Sequence, residues 1–139
     1  MVDRAVIKTK LSFADLRLNE LAFHRSVSLD RFRSDPTVQA AILHHLQVAI
    51  QACMDVASHI VADESWGVPG TSKDLFDFLR QHRVIVPSLA DGMKDLVGFR
   101  NLVVHAYDKL DVAKTHAQLP MYRRSLSRFL KSVAVYAKL

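Results

Sequence analysis

The chain has 139 residues, half of them apolar, and one cysteine, Cys53, so we expect a single domain over residues 1–139 without an intrachain disulfide. Nineteen Lys and Arg against fourteen Asp and Glu give a net charge of +5, which either favours a polyanionic partner or serves solubility. Apolar runs fall short of the roughly 20 residues that cross a bilayer and MVDRAVIKTK lacks a secretory signal, so we expect a cytoplasmic protein with no membrane partner.

Helical periodicity dominates the first half of the chain. Apolar side chains recur every three or four positions over residues 7–32, interrupted by Arg25, which predicts one long first helix. Asp35 and Pro36 then mark a boundary, because proline is favoured at the first helical position after a capping residue. A second helix of similar length is predicted from Pro36 to about Asp63, antiparallel to the first.

The second half of the chain predicts shorter helices. ESWGVPGTSKD, residues 64–74, is a loop with two glycines and a proline, and Thr71 with Asp74 resembles a capping box for a short helix that follows. VIVP is predicted to start a helix at Pro87, since no second strand exists to pair with it. A turn of helix over residues 112–119 and a last helix from Pro120 complete an all-α up-and-down bundle of four or five helices.

The stretch GFRNLVVHAYDKL, residues 98–110, places polar groups among apolar neighbours. Arg100 falls on a stripe that otherwise carries apolar side chains, and burying an unpaired guanidinium is costly. Either a carboxylate meets it or the stripe faces a cleft. Asp55 is the candidate for such a buried partner of Arg100 or Tyr107, and a solvated role for Asp55 is the alternative.

Helical phase separates His105 from Arg100. Five positions correspond to about 140° on an ideal helix, so the two side chains do not share one face. Two arrangements bring them together: the helix ends or bends near His105, or a symmetric mate supplies the second pair across a two-fold axis. In a dimer, Gly98 would let a ligand or another backbone approach closely.

An arginine and a histidine in one groove suit cleavage of RNA. The histidine can take the proton of a ribose 2′-hydroxyl or protonate the leaving 5′-oxygen, while the arginine holds the phosphate, and neither step requires a metal. The alternative is a hydrogen-bonded network that closes a helix end. The sequence contains no HExxH motif and no pair of cysteines, so we expect no metal site and no cofactor.

The stretch RNLVVHAYD is similar to the R-x-x-x-x-H-x-Y signature of the HEPN superfamily, specifically of HepT-like ribonuclease toxins encoded beside a minimal nucleotidyltransferase antitoxin. The resemblance extends over residues 35–111. It implies a helical homodimer whose Arg100 and His105 cleave RNA without metal in a cleft between subunits. It also implies that Asn101 supports Arg100 and that the antitoxin silences the toxin by adding AMP to Tyr107.

Three hypotheses on function therefore stand side by side. The first is a metal-independent endoribonuclease toxin. The second is a helical module that binds nucleotide, RNA or a partner without catalysis. In the third the chain is the substrate or regulator of the nucleotidyltransferase, with Tyr107 as the modified site.

Overall fold

Six α-helices and one 3-10 turn form the structure, a computed structural model that describes residues 2–139. The elements in chain order are α1 (Arg4–Ala22), α2 (Leu29–Ser34), α3 (Pro36–Asp63), α4 (Asp74–Gln81), α5 (Pro87–His105), the 3-10 turn (Tyr107–Lys109) and α6 (Val112–Tyr136). No strand occurs within residues 2–139, so the predicted all-α class is confirmed, with six helices rather than four or five. None of these helices is both long and apolar enough to span a membrane.

The prediction of one long first helix is wrong. Residues 23–28 form a turn between α1 and α2, and the Ser28 hydroxyl caps the new helix. The carbonyl of Val27, which this turn releases from helical bonding, lies 2.7 Å from Nε2 of His116 on α6. The break lets α2 fold back so that Phe32 is fully buried against α3 and α6. Tertiary packing thus overrides a local helical pattern whose one interruption is Arg25.

Helix α3 is the centre of the bundle and has the predicted bounds. Asp35 caps it, since Oδ1 accepts hydrogen bonds from the backbone N–H groups of Thr37 and Val38, and Pro36 occupies the first turn. The helix contacts all five other α-helices. Its most buried side chains, each worth about 1.5–3 kcal/mol when large and apolar, include Ile42, Leu46, Ile50, Val56 and Ile60.

The loop before α4 contains half of the predicted capping box. Oδ2 of Asp74 accepts hydrogen bonds from the backbone N–H groups of Gly70 at 2.9 Å and Thr71 at 3.0 Å. These bonds, that of Thr71 first, hold the pKa of Asp74 below its usual value. The residue at the N-cap position is Lys73, whose side chain makes no capping bond. The Asp74 carboxylate therefore holds the loop in place, and Thr71 does not cap the helix as predicted.

The motif of residues 98–110 lies in α5 and the turn after it, and α6 packs against α5. Helix α5 begins at Pro87, which confirms a helix start rather than a strand at VIVP. Helix α6 is continuous from Val112, so the prediction of a separate helix starting at Pro120 is wrong. Asp111 caps α6 through the N–H of Lys114, and buried side chains lie on both sides of Pro120. Their packing outweighs the one backbone hydrogen bond that proline cannot make.

Candidate active site

Helix α5 ends at His105, within the motif. The N–H of Ala106 donates to the carbonyl of Leu102 at 2.8 Å, and Ala106 itself leaves helical geometry with φ −145° and ψ 44°. The 3-10 turn then begins at Tyr107. Of the two predicted arrangements, a helix end at His105 is therefore present within one chain.

Arg100 is partly buried and held by two neutral amides. Its Nη1 donates to Oδ1 of Asn101 at 2.9 Å, and its Nη2 donates to Oε1 of Gln51 at 2.8 Å. No carboxylate within residues 2–139 forms an ion pair with it. The buried Nε has no hydrogen-bond partner. The guanidinium is thus fixed in position while its positive charge stays uncompensated, which favours an anionic ligand.

Asp55 reaches Arg100 only through Gln51. Oδ1 of Asp55 accepts a hydrogen bond from Nε2 of Gln51 at 3.0 Å, and Asp55 lies at the surface rather than buried. The expected direct contact of a buried Asp55 with Arg100 or Tyr107 is therefore absent. Because Nε2 donates to the carboxylate, Oε1 of the same amide is turned toward the guanidinium. Asp55 acts as an anchor for the amide that contacts Arg100.

Tyr107 is held by a second glutamine of α3. Its hydroxyl donates to Oε1 of Gln39 at 2.9 Å, and Nε2 of Gln39 donates to the backbone carbonyl of Phe32 at 3.0 Å. The side chain of Tyr107 is 48% exposed. The phenol is therefore oriented by the fold and open to solvent at the same time.

His105 is exposed at the end of α5. Within residues 2–139 its ring forms neither a hydrogen bond nor an ion pair, and it makes no contact of these kinds with Arg100. One chain thus brings Arg100 together with Asn101, Gln51 and Asp55, and leaves His105 open to a ligand or a second subunit.

The two glutamines were not found from the sequence. Gln51 and Gln39 lie 49 and 68 positions from the residues they contact. An uncharged amide on a helix gives neither a charge signal nor an apolar period, so only the packing of α3 against α5 and the 3-10 turn reveals them.

Residues 2–139 contain neither a cluster of metal ligands nor an accessible thiol. No group of three or more His, Cys, Asp or Glu side chains in residues 2–139 is arranged to hold a metal ion. Cys53 is buried in the core, and burial raises the pKa of its thiol. A neutral thiol in this position is a packing group.

Comparison with known proteins gives consistent matches. A family model described as Ribonuclease HepT-like matches residues 15–133. An mRNA nuclease HepT from Shewanella oneidensis is 38% identical over 82 residues, which cover 59% of this chain and 62% of that relative's length. A tRNA nuclease HepT from Aphanizomenon flos-aquae is 27% identical over 136 residues, which cover 93% of this chain and 92% of the relative.

Solved structures show the same fold. A tri-AMPylated HEPN toxin of Shewanella oneidensis in complex with an MNT antitoxin has a TM-score of 0.84 and 27% identity, covering 97% of this chain and 99% of that one. A toxin–antitoxin structure with AMP-PNP has a TM-score of 0.85 and 25% identity over 94% of this chain and 98% of that one. Since the family model spans most of the sequence, the chain belongs to the HepT-like ribonuclease family.

Proposed function

We propose that the chain is a metal-independent endoribonuclease and the toxin of a toxin–antitoxin pair. The observation that carries this proposal is the Arg100 guanidinium, fixed by two amides without a balancing carboxylate and followed by an unengaged His105 at a helix end. The nuclease names of the two HepT relatives support the same reaction class. The lone buried Cys53 suits the reducing cytoplasm, where we place the protein.

The proposed reaction needs only protein groups and RNA. His105 takes the proton of a ribose 2′-hydroxyl, the 2′-oxygen attacks the adjacent phosphorus, and the bond to the 5′-oxygen breaks. Arg100 binds the phosphate and stabilises the charge that builds on its oxygens. The leaving 5′-oxygen takes up a proton, and the products are a 2′,3′-cyclic phosphate and a 5′-hydroxyl. A second His105 across a two-fold axis is well suited to donate that proton.

A homodimer would complete this site. Within one chain Arg100 faces α3 while His105 stands at the exposed helix end, so a symmetric mate is the direct way to line one groove with both groups. Exposed apolar side chains near the Arg100 network support such an interface. Phe13 is 52% exposed and lines a groove of about 220 Å³ together with Asp55, and Val104 on α5 is 42% exposed.

A minimal nucleotidyltransferase is the proposed antitoxin. The solved HEPN toxin with similar fold carries AMP groups and is bound to an MNT antitoxin. In this chain the exposed phenol of Tyr107 lies two residues beyond His105 and is the proposed acceptor of AMP. Each added nucleotide brings a negative phosphate close to His105, two positions before Tyr107, which repels RNA and occupies the groove.

Cleavage by purified protein tests the proposal. Wild type, Arg100→Ala and His105→Ala are compared on a generic RNA in EDTA, with the solution mass measured by light scattering. We expect cleavage by wild type only and a particle of twice the 15.7 kDa chain mass. Equal activity in all three proteins would contradict the catalytic roles. Tight RNA binding without any cleavage would favour the binding-module hypothesis, and a fully active monomer would exclude the shared groove.

A further inference from the structure

A second basic surface lies beside the motif, on the other side of α5 from Gln51. It is a cleft of about 510 Å³, within the size range of small-ligand sites. The C-terminal half of α5, the 3-10 turn and the first half of α6 form its walls. We call it the lysine cleft, after three side chains that line it, Lys73, Lys109 and Lys114.

The three ammonium groups of the lysine cleft lack partners. No carboxylate within residues 2–139 forms an ion pair with any of them, whereas Lys94 nearby is paired with Asp77 at 3.1 Å. The carboxylates of Asp95 and Asp111 also line the cleft, and that of Asp111 caps α6, so the lining carries a net charge of +1 (three lysines against two aspartates). Three lysines without ion pairs on one cleft lower the free energy of an anion bound there.

The floor of the lysine cleft is apolar in part, and the polar side chains of Thr115 and Gln118 also line the cleft. Phe99 and Tyr122 form the apolar part, with ring centroids 5.1 Å apart, and Leu102 and the exposed Met121 lie beside them. A cationic rim over an apolar floor is the combination by which proteins hold single-stranded nucleic acid, since phosphates meet the cations and bases lie on the apolar surface. Gly98 has no side chain to fill the cleft that it lines, and a Cβ at this position would lie 3.5 Å from Nζ of Lys73.

The cleft lies close to His105 along the chain. Leu102 in its wall lies one helical turn before His105, and Lys109 follows His105 by four residues. We infer that the lysine cleft binds phosphodiester-linked nucleotides of the RNA strand that flank the bond cleaved at His105. This inference rests on the proposed ribonuclease function and adds the path of the substrate beyond the scissile phosphate.

RNA binding without turnover tests this inference. Fluorescence anisotropy measures the binding of a short unstructured RNA in EDTA to two proteins. The first carries only His105→Ala, and the second, the cleft variant, also carries Lys73→Gln, Lys109→Gln and Lys114→Gln. A matched control combines Lys8→Gln, Lys131→Gln and Lys138→Gln, which remove the same charge from exposed positions outside the cleft. Thermal unfolding of each variant confirms that the fold is intact.

The cleft variant should bind RNA about a hundred-fold more weakly near 0.1 M salt, with a salt slope smaller by about 2, since each single-strand phosphate contact contributes about 0.7. The matched control should keep most of its affinity. Equal losses in both variants, or none in either, would overturn the inference. Competition by an acidic peptide tests the specificity for RNA. If the peptide displaces bound RNA as well as an unlabelled RNA of the same charge does, the inference is also overturned.

The outcome separates the two proposals. If wild type fails to cleave RNA while the cleft variant alone loses RNA binding, the ribonuclease function is wrong and the lysine cleft stands as an RNA site. If wild type cleaves and the cleft variant binds RNA as tightly as the control, the function stands and the cleft inference is wrong.

Discussion

Oε1 of Gln51 accepts a hydrogen bond from Nη2 of Arg100 at 2.8 Å, and this bond connects the central helix α3 to the proposed phosphate-binding group on α5. Asp55 holds the other end of the same amide. The guanidinium is therefore aimed by a neutral acceptor, which fixes its direction without cancelling its charge. A direct carboxylate partner would fix the side chain equally well and weaken its attraction for phosphate.

Replacing Gln51 should slow RNA cleavage without preventing folding. Gln51→Leu removes one hydrogen bond to a charged group, worth about 1.5–3 kcal/mol, while Asn101 still holds Nη1. We expect cleavage to fall about ten-fold or more, because about 1.4 kcal/mol corresponds to a factor of ten. Gln39→Leu on the same helix is the matched control, since Gln39 contacts Tyr107 and not Arg100. Equal loss in both variants would contradict a specific role for Gln51.

Tyr107 should be the residue modified by a nucleotidyltransferase of the MNT type. With ATP and that enzyme, the intact mass should rise by one or more AMP groups, and Tyr107→Phe should abolish the increase. Tyr122→Phe is the control: its hydroxyl is bonded to Gln118 at 2.6 Å and the residue is buried. Unchanged modification of Tyr107→Phe protein would show that another side chain accepts the nucleotide.

Local signals in the sequence predicted the parts of the fold that local forces decide. The Asp35 cap with Pro36 and the proline at position 87 gave correct starts for α3 and α5. The break after α1 was missed because the apolar spacing resumes at Leu29 after the single interruption at Arg25. The contact of His116 with the carbonyl of Val27, 89 positions away, accompanies the break and has no local signal.

The candidate site also has residues that the sequence identifies and residues that it does not. Arg100 was identifiable because a guanidinium on an apolar stripe is costly unless something meets it. What meets it, the amide of Gln51, was invisible because the contact depends on how α3 packs against α5. The lysine cleft likewise assembles residues from separate segments that no local pattern connects.

Gly98→Ala should stabilise the protein and weaken RNA binding. A Cβ at Gly98 meets Nζ of Lys73 at 3.5 Å, an ordinary contact, and alanine in a helix interior is favoured by about 0.5–1 kcal/mol over glycine. Gly92→Ala should gain less, because its Cβ would lie 3.1 Å from Oγ of Ser125. Urea denaturation measures the first effect and RNA anisotropy the second. Unaltered RNA affinity in Gly98→Ala protein would show that RNA does not approach Gly98 in the lysine cleft.

The cluster around His24 should make stability sensitive to acid. Burial first, then His45 and Arg31, lower the pKa of His24 in the folded protein. The unfolded chain, with an ordinary histidine pKa of about 6.5, therefore binds the proton more readily. The stability that the neutral ring contributes is present above about pH 6.5 and is lost as pH falls through the lowered folded pKa.

His24→Gln removes this contribution. Between about pH 7.5 and about pH 5.5, the free energy of unfolding should fall less in the variant than in wild type, as measured by urea denaturation. His105→Gln, at an exposed position without hydrogen-bond or ion-pair partners among residues 2–139, should behave as wild type. A fall in the variant as large as that in wild type, or larger, would contradict the direction of the shift.

Cleavage of an RNA oligonucleotide in EDTA, beside the same strand with 2′-deoxy sugars, tests the central claim most directly. Wild type should cut only the ribose strand and leave a 2′,3′-cyclic phosphate. His105→Ala should be slower by about 10²–10⁴-fold, the usual contribution of acid–base catalysis, and Arg100→Ala should also lose activity. Cleavage of the deoxy strand, or wild-type rates for His105→Ala, would contradict the account.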